Sequence, residues 1–238
     1  IMKILALDTS GPVCGVAVMA NGQVLYEGAA VNRMTHSVNL MPMVDEALLR
    51  AGIKVTEIDL LAAVVGPGSF TGVRIGVSTV KGIAHGLRKP CVGVDALEAL
   101  AAGAGDGQAL LCPIQDARAG QVYGAVFTAG MPPVRKLPDE AEKLEIFLAH
   151  AIAQATDGQP LCFIGDGVGR YRAAIEDQLG IRAVFPPAHL SYLRPAAVAL
   201  LAQAHINEQT DYLGLMPRYL RAPQAERARA AKQKAEQA

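Results

Sequence analysis

Asn21-Gly22 stands between two strand-like runs, Cys14 to Met19 and Gln23 to Val31, and this dipeptide is the strongest short-range signal for a two-residue hairpin. Ahead of it, the apolar run Lys3 to Asp8 reads as a buried strand, and Gly11-Pro12 as the turn that returns the chain to Cys14. The chain therefore opens with three consecutive antiparallel strands. The period then changes. A helical stretch runs from about His36 to Ala51 and stops at Gly52, with Pro42 predicting a kink or a start shifted toward Met43. Leu60 to Val65 is a fully apolar strand. The loop Gly66 to Gly72 leads into a helix, capped by Thr71, that reaches about Gly86; Cys91 to Val94 is another strand and Ala96 to Ala102 a short helix.

The Gly-rich segment Gly103 to Gly107 reads as a boundary, and beyond it the pattern repeats in shorter form. Ala109 to Gln115 and Val122 to Thr128 are strands around a turn at Asp116 to Gln121. Helices near Ala141 to Ala155 and Gly169 to Leu179 flank a strand at Leu161 to Ile164, and Arg194 to Asn207 is a late helix. The length of 238 residues suits two lobes better than one small core. Two related lobes, each opening with a hairpin and continuing as alternating helix and strand, point to an α/β fold of the actin, hexokinase and Hsp70 type. The expected first lobe is 1–103 with about 208–221, the second 104–207, and 222–238 is a tail, either frayed helix or disorder.

Charge narrows the function classes. Lys plus Arg and Asp plus Glu number 22 each, whereas a stand-alone tRNA binder carries a basic excess that releases counterions. If this chain works on tRNA, another protein holds most of it; composition alone favours the plainer reading, that it never meets nucleic acid. No apolar stretch approaches the ~20 residues of a membrane helix, and the strand-like opening lacks a charged-then-apolar leader, so a soluble, cytoplasmic protein is expected. Cys14, Cys91, Cys112 and Cys162 show no Cys-x-x-Cys spacing and read as buried thiols. No two of the five histidines lie three or four apart, so no helical metal pair exists and no metal site is assigned.

Three segments could touch phosphate. Asp8-Thr9-Ser10 ends the first strand: its carboxylate could hold a metal-bound water and its hydroxyls and turn amides could face phosphate oxygens, or Asp8 could simply bond its own turn as an Asx-turn. Gly68, Ser69 and Thr71 lie in the run Gly66 to Gly76, where a strand feeds a glycine loop and then a helix N-terminus, an anion site or a tight structural turn. The Walker spacing fails there, and no Lys-Ser/Thr follows. Gly72, Gly76, Gly82 and Gly86 read as a stripe permitting close packing of the helix on the sheet. The third cluster, Gly165 to Gly169, lacks the Gly-x-Gly-x-x-Gly pattern and reads more readily as a strand-to-helix turn than as an adenosine site.

These residues also carry a resemblance. Asp8-Thr9-Ser10 with its hairpin, Thr35 to Pro42, the run Gly66 to Gly76, Asp116-Ala117-Arg118-Ala119-Gly120-Gln121-Val122-Tyr123 and Pro217-Arg218-Tyr219-Leu220-Arg221 together resemble the TsaB, or YeaZ, family over residues 2 to about 221. Ala119 departs from it, standing where many relatives carry a second basic residue, and the tail lies outside it. The resemblance implies a two-lobed actin-like fold and a non-catalytic scaffold in making N6-threonylcarbamoyladenosine in tRNAs that read codons starting with A. It further implies pairing with TsaD, support of TsaE, and contact with tRNA only through the complex. No cofactor is expected to be held tightly, with ATP or ADP placed at the interface shared within the complex.

The helix from Arg33 to Leu49 fits such a role. Leu40, Val44, Ala47 and Leu48 make one apolar stripe, while Met34, Val38, Met41 and Asp45 lie toward another. A helix apolar on two sides can bury one side on its own sheet and offer the other to a partner, or be covered by the second lobe. The resemblance favours the partner, which assigns Arg33, Met34, His36, Val38, Met41 and Asp45 to an interface with TsaD, or with a second copy when TsaD is absent. His36 taken alone reads as a cap or polar contact. The competing readings are an ATP-dependent phosphotransferase or a peptidase-like enzyme, for which Asp8 and Asp116 are the carboxylates to nominate, and a free-standing nucleotide-binding module.

Overall fold

A computed structural model describes residues 1–31, 35–104 and 107–221. The residues fall into five layers set by where apolar side chains can hide. The first sheet contains β1 (Lys3–Asp8), β2 (Cys14–Ala20), β3 (Gln23–Ala30), β4 (Leu60–Gly66) and β5 (Cys91–Asp95), in the order β3-β2-β1-β4-β5. Strand β1 is antiparallel to β2 and parallel to β4. Its interior is apolar at every position because both faces are covered: Leu5 and Leu7 face α1 (His36–Ala51) and α2 (Phe70–Leu87), while Ile4 and Ala6 face the middle of the molecule.

The second sheet repeats this plan. It contains β6 (Leu110–Arg118), β7 (Gln121–Thr128), β8 (Val134–Lys143), β9 (Leu161–Ile164) and β10 (Ala183–Val184), in the order β10-β9-β6-β7-β8. Again the first strand is antiparallel to its hairpin partner and parallel to the strand that follows a helix. Helices α4 (Leu144–Gln154) and α5 (Gly167–Leu179) cover its outer face. Between the sheets lie α3 (Ala96–Gly103) and α6 (Pro195–Ala204), whose Leu97, Leu100, Val198 and Leu201 join both inner faces in one core. This is the two-lobed actin-like arrangement expected of the pattern.

Several local expectations change. Helix α1 runs unbroken through Pro42, which lies on its exposed side. The cap of α2 is Ser69, whose Oγ accepts from the Gly72 amide at 3.2 Å; Thr71 lies within the first turn, exposed. The helix expected from about Ala141 begins at Leu144, because β8 occupies residues up to Lys143. Finally, residues 195–204, grouped by sequence with the second lobe, pack across β1 and β2 of the first sheet. The tail from 222 lies outside the described residues.

Candidate functional site

The carboxyl ends of the parallel strands bring the three glycine or hydroxyl motifs to one edge, where a two-lobed fold has its cleft. Asp8, Thr9 and Ser10 are all buried there. Asp8 Oδ1 accepts from the Ser10 amide at 2.8 Å and from Ser10 Oγ at 2.7 Å, so the motif closes on itself as an Asx-turn. Thr9 Oγ1 donates to the Gly72 carbonyl at 2.7 Å, and the Ser69 amide donates to the Ser10 carbonyl at 2.7 Å. The two loops are therefore clamped to each other. A Cβ at Gly72 would run into the Thr9 carbonyl oxygen, and one at Gly76 would lie 2.7 Å from Thr9 Oγ1. Gly82 and Gly86 meet nothing, so the expected glycine stripe is confined to its first two members.

The opposite wall comes from α3 and the second lobe. Leu100, Gln115, Asp166, Tyr192 and Leu193 face Asp8, Ser10 and Gly11 across a cavity of about 10 Å³. That is room for about one water, against the ~300–1,000 Å³ of ordinary ligand sites. Asp8 Oδ2 and Gln115 Oε1 are buried here without a protein donor. Burial, offset by the two Ser10 bonds, pushes the Asp8 carboxyl up to about 6. Asp166 is pushed up to about 6 as well, again mainly by burial. Gly165 presses onto the Ile114 carbonyl, making the third glycine cluster a packed strand-to-helix turn. Asp116 is engaged elsewhere, accepting from the Arg118 amide at 2.9 Å and from Arg170 at 3.2 Å. Among the described residues, no group of three or more His, Cys, Asp or Glu is placed to hold a metal ion. A wider depression of about 500 Å³, lined by His85, Arg88 and Tyr212 among others, lies at the far end of α2, away from these motifs.

Helix α1 shows a different surface. Leu40, Val44, Ala47 and Leu48 are in the outer core of the first lobe. Val38 is 53% exposed, Met41 45% and Leu49 78%, and Asp45 lies between them on the same outward face. Leu49, at the i+4 step from Asp45, extends that face by one more turn, beyond the residues that the spacing assigns to the interface. His36 turns inward: its Nε2 bonds the Gly11 carbonyl at 2.9 Å, making it a polar brace between α1 and the first turn. Arg33 and Met34 lie outside the described residues. Beside α1, helix α2 exposes Ser78, Gly82 and Gly86, which add no bulk to the surface.

Residues 30–229 match a family model described as TsaD: tRNA N6-adenosine threonylcarbamoyltransferase. The tRNA threonylcarbamoyladenosine biosynthesis protein TsaB of Bacillus subtilis is 34% identical over 227 residues, covering 94% of this chain and 96% of that protein. The chain belongs to the TsaB family. The Escherichia coli TsaB is 40% identical over 128 residues, 53% of this chain and 55% of that protein. YeaZ from Pseudomonas aeruginosa superposes with a TM-score of 0.76 at 27% identity, covering 92% of this chain and all of that one. Component A of Acidaminococcus fermentans (R)-2-hydroxyglutaryl-CoA dehydratase, at 12% identity and a TM-score of 0.51, shares the fold alone. No described helix is long and apolar enough to cross a membrane.

Proposed function

We propose that this TsaB-family chain serves N6-threonylcarbamoyladenosine formation in tRNA as a non-catalytic subunit that pairs with TsaD through the outward face of α1. The family membership supports the pathway. The observation that carries the role is the contrast on α1 itself: an inner apolar stripe fully used by the core, and an outer one, Val38, Met41 and Leu49, left bare. Exposed apolar area of this kind on a rigid helix is what a partner helix buries, and methionine adapts to more than one partner. The same face would serve a second copy when TsaD is absent. In this reading TsaE joins the assembled pair, tRNA is reached through the complex, and any ATP or ADP sits at a shared interface.

The absence of chemistry in this subunit is supported by the cleft. Asp8 spends one oxygen on its own turn, the Ser69 and Gly72 amides are already bonded, and the opening admits about one water. The test is calorimetry and turnover on the isolated chain. Titration with ATP and magnesium is expected to give no binding tighter than millimolar and no hydrolysis. A micromolar dissociation constant, about −8 kcal/mol, together with turnover lost in Asp8→Ala, would favour the phosphotransferase reading instead.

A further inference from the structure

The segment that ends the described chain runs from the first lobe to the second. Thr210 pairs with Cys91 at the start of β5, and Leu215 sits in the outer core of the first lobe. Lys81 Nζ donates to the Leu215 carbonyl at 3.2 Å, and the Arg218 amide donates to the Val65 carbonyl at 2.7 Å. Up to this point every tie is to the first lobe. The side chains of Arg218 and Arg221 then reach out of it. Arg218 Nη1 donates to Asp95 Oδ2 at 3.3 Å, at the carboxyl end of β5, and Nη2 donates to Asp139 Oδ2 at 2.6 Å, on β8 of the second sheet. Arg221 Nη1 donates to the Ala117 carbonyl of β6 at 2.9 Å. Arg135, also on β8 and resting over the Phe127 ring, pairs with Asp139 and, at 3.3 Å, with Asp95.

Two carboxylates and two guanidiniums are thus gathered from both lobes. The Asp139 carboxylate is fully covered and Asp95 nearly so, each at 8% exposure or less. A pair of buried carboxylates persists only where cations meet them. A planar guanidinium with donors on two edges is the group that can satisfy one carboxylate from each side at once. Drawing the lobes apart would break the two cross-lobe ties, Arg218 to Asp139 and Arg135 to Asp95, and leave each half with only its own pair, opened to solvent. The cluster lies at the carboxyl edge of the first sheet, the edge that also carries Asp8 and the small cavity. We propose that Pro217–Arg221 is an interlobe latch, with Arg218 as the tie that holds the cleft shut over Asp8, Gln115 and Asp166. The latch is distinct from the α1 face and stands or falls without it.

The experiment is amide hydrogen exchange on the full chain, parent against Arg218→Met. Methionine keeps the length of the stem and removes both donors. Exchange at 8–13, 115–118 and 165–168, the segments that carry Asp8, Gln115 and Asp166 of the cleft, is expected to accelerate at least tenfold. Exchange in α4, buried in the second lobe's outer core, is expected to change less than twofold. If Arg218→Met does not fold, Asp139→Ala decides by the same criterion, since it removes the acceptor that Arg218 Nη2 bonds. Unchanged exchange at the cleft overturns the latch. So does acceleration in α4 equal to that at the cleft, which marks a plain loss of stability.

Discussion

Two regions of the first lobe, both built from β1 and its neighbours, invert the usual allocation of polar and apolar groups. At the carboxyl edge, Asp8, Thr9 and Ser10 are buried and mostly bonded to one another or to the Gly66–Gly76 loop. On the outer side, α1 leaves Val38, Met41 and Leu49 in the open. An enzyme acting alone needs polar groups facing a space that admits substrate, and a helix that covers only its own sheet needs no second apolar face. The difference is what the proposed pairing role would need: apolar area offered on the outside of the first lobe, and polar groups in the cleft bonded mostly to one another.

The sharpest way to break the comparison is to exchange the two sides of α1. Val44 faces inward, 2% exposed. Val44→Glu places an unpaired carboxylate in the outer core and should cost roughly 4 kcal/mol or more, unfolding much of the protein. Loss of the cooperative melt by circular dichroism checks it. A melt like the parent's would mean that the inner and outer faces are assigned wrongly.

The next largest effect tests the closed cleft. Burial raises Asp8 from 3.8 to about 6 in the folded chain, so folding takes up a proton between those values. Stability from this group is full below about pH 4 and is lost as pH rises to about 6. Asp8→Asn is always neutral and keeps an acceptor for Ser10, so it should be more stable than the parent above pH 6, by about 3 kcal/mol at most, and equal near pH 4. Urea unfolding at both pH values measures this. Asp139 and Asp166 are shifted in the same direction, so part of the parent's slope persists in the variant. A variant destabilised at pH 8 would show that the Asp8 charge is wanted, as a cation site would want it.

The smallest effects separate four glycines that look alike in the sequence. Gly72→Ala pushes a methyl into the Thr9 carbonyl and should destabilise by about 1–3 kcal/mol. Gly82→Ala meets nothing and should stabilise the helix by about 0.5–1 kcal/mol. Thermal melts of the two variants, moving in opposite directions, would sharpen the boundary between the clamped N-terminal turn of α2 and its free surface.

Much of this was legible in the residues. The Asn21-Gly22 hairpin, the apolar strands and the limits of α1 follow from local signals, and the repeat of the second lobe follows from their order. What was hidden depends on distance. Strand β8 carries Lys136, Pro138, Asp139, Glu140 and Glu142 because it is a partly exposed sheet edge, and such a strand has no apolar alternation to read. Gly82 leaves the glycine stripe because the six-residue step from Gly76 turns the helix by about 240°, and Gly86, in the last turn of α2, has nothing packed on it. That α6 crosses back to the first sheet, and that Arg218 joins Asp95 to Asp139, are long-range packings that no local window contains. On the candidate interface, the spacing separated the two faces of α1, but His36 bonds inward to Gly11 because the first turn needs a donor there. The phosphate motifs left an Asx-turn and an anion site equally open, and only the second lobe, closing over Asp8, shows the space between them.

The central claim is that α1 is a pairing surface, and Met41→Glu tests it most directly. Met41 is 45% exposed, so the new carboxylate stays solvated in the monomer, and the melting curve should match the parent's within about 0.5 kcal/mol. In a pair it would be buried without a partner, at a cost of several kcal/mol. Analytical ultracentrifugation with TsaD from the same organism should therefore show association weakened at least about a hundredfold, equivalent to some 2.7 kcal/mol. Unaltered association of the folded variant would contradict the account, as would unfolding of the variant on its own.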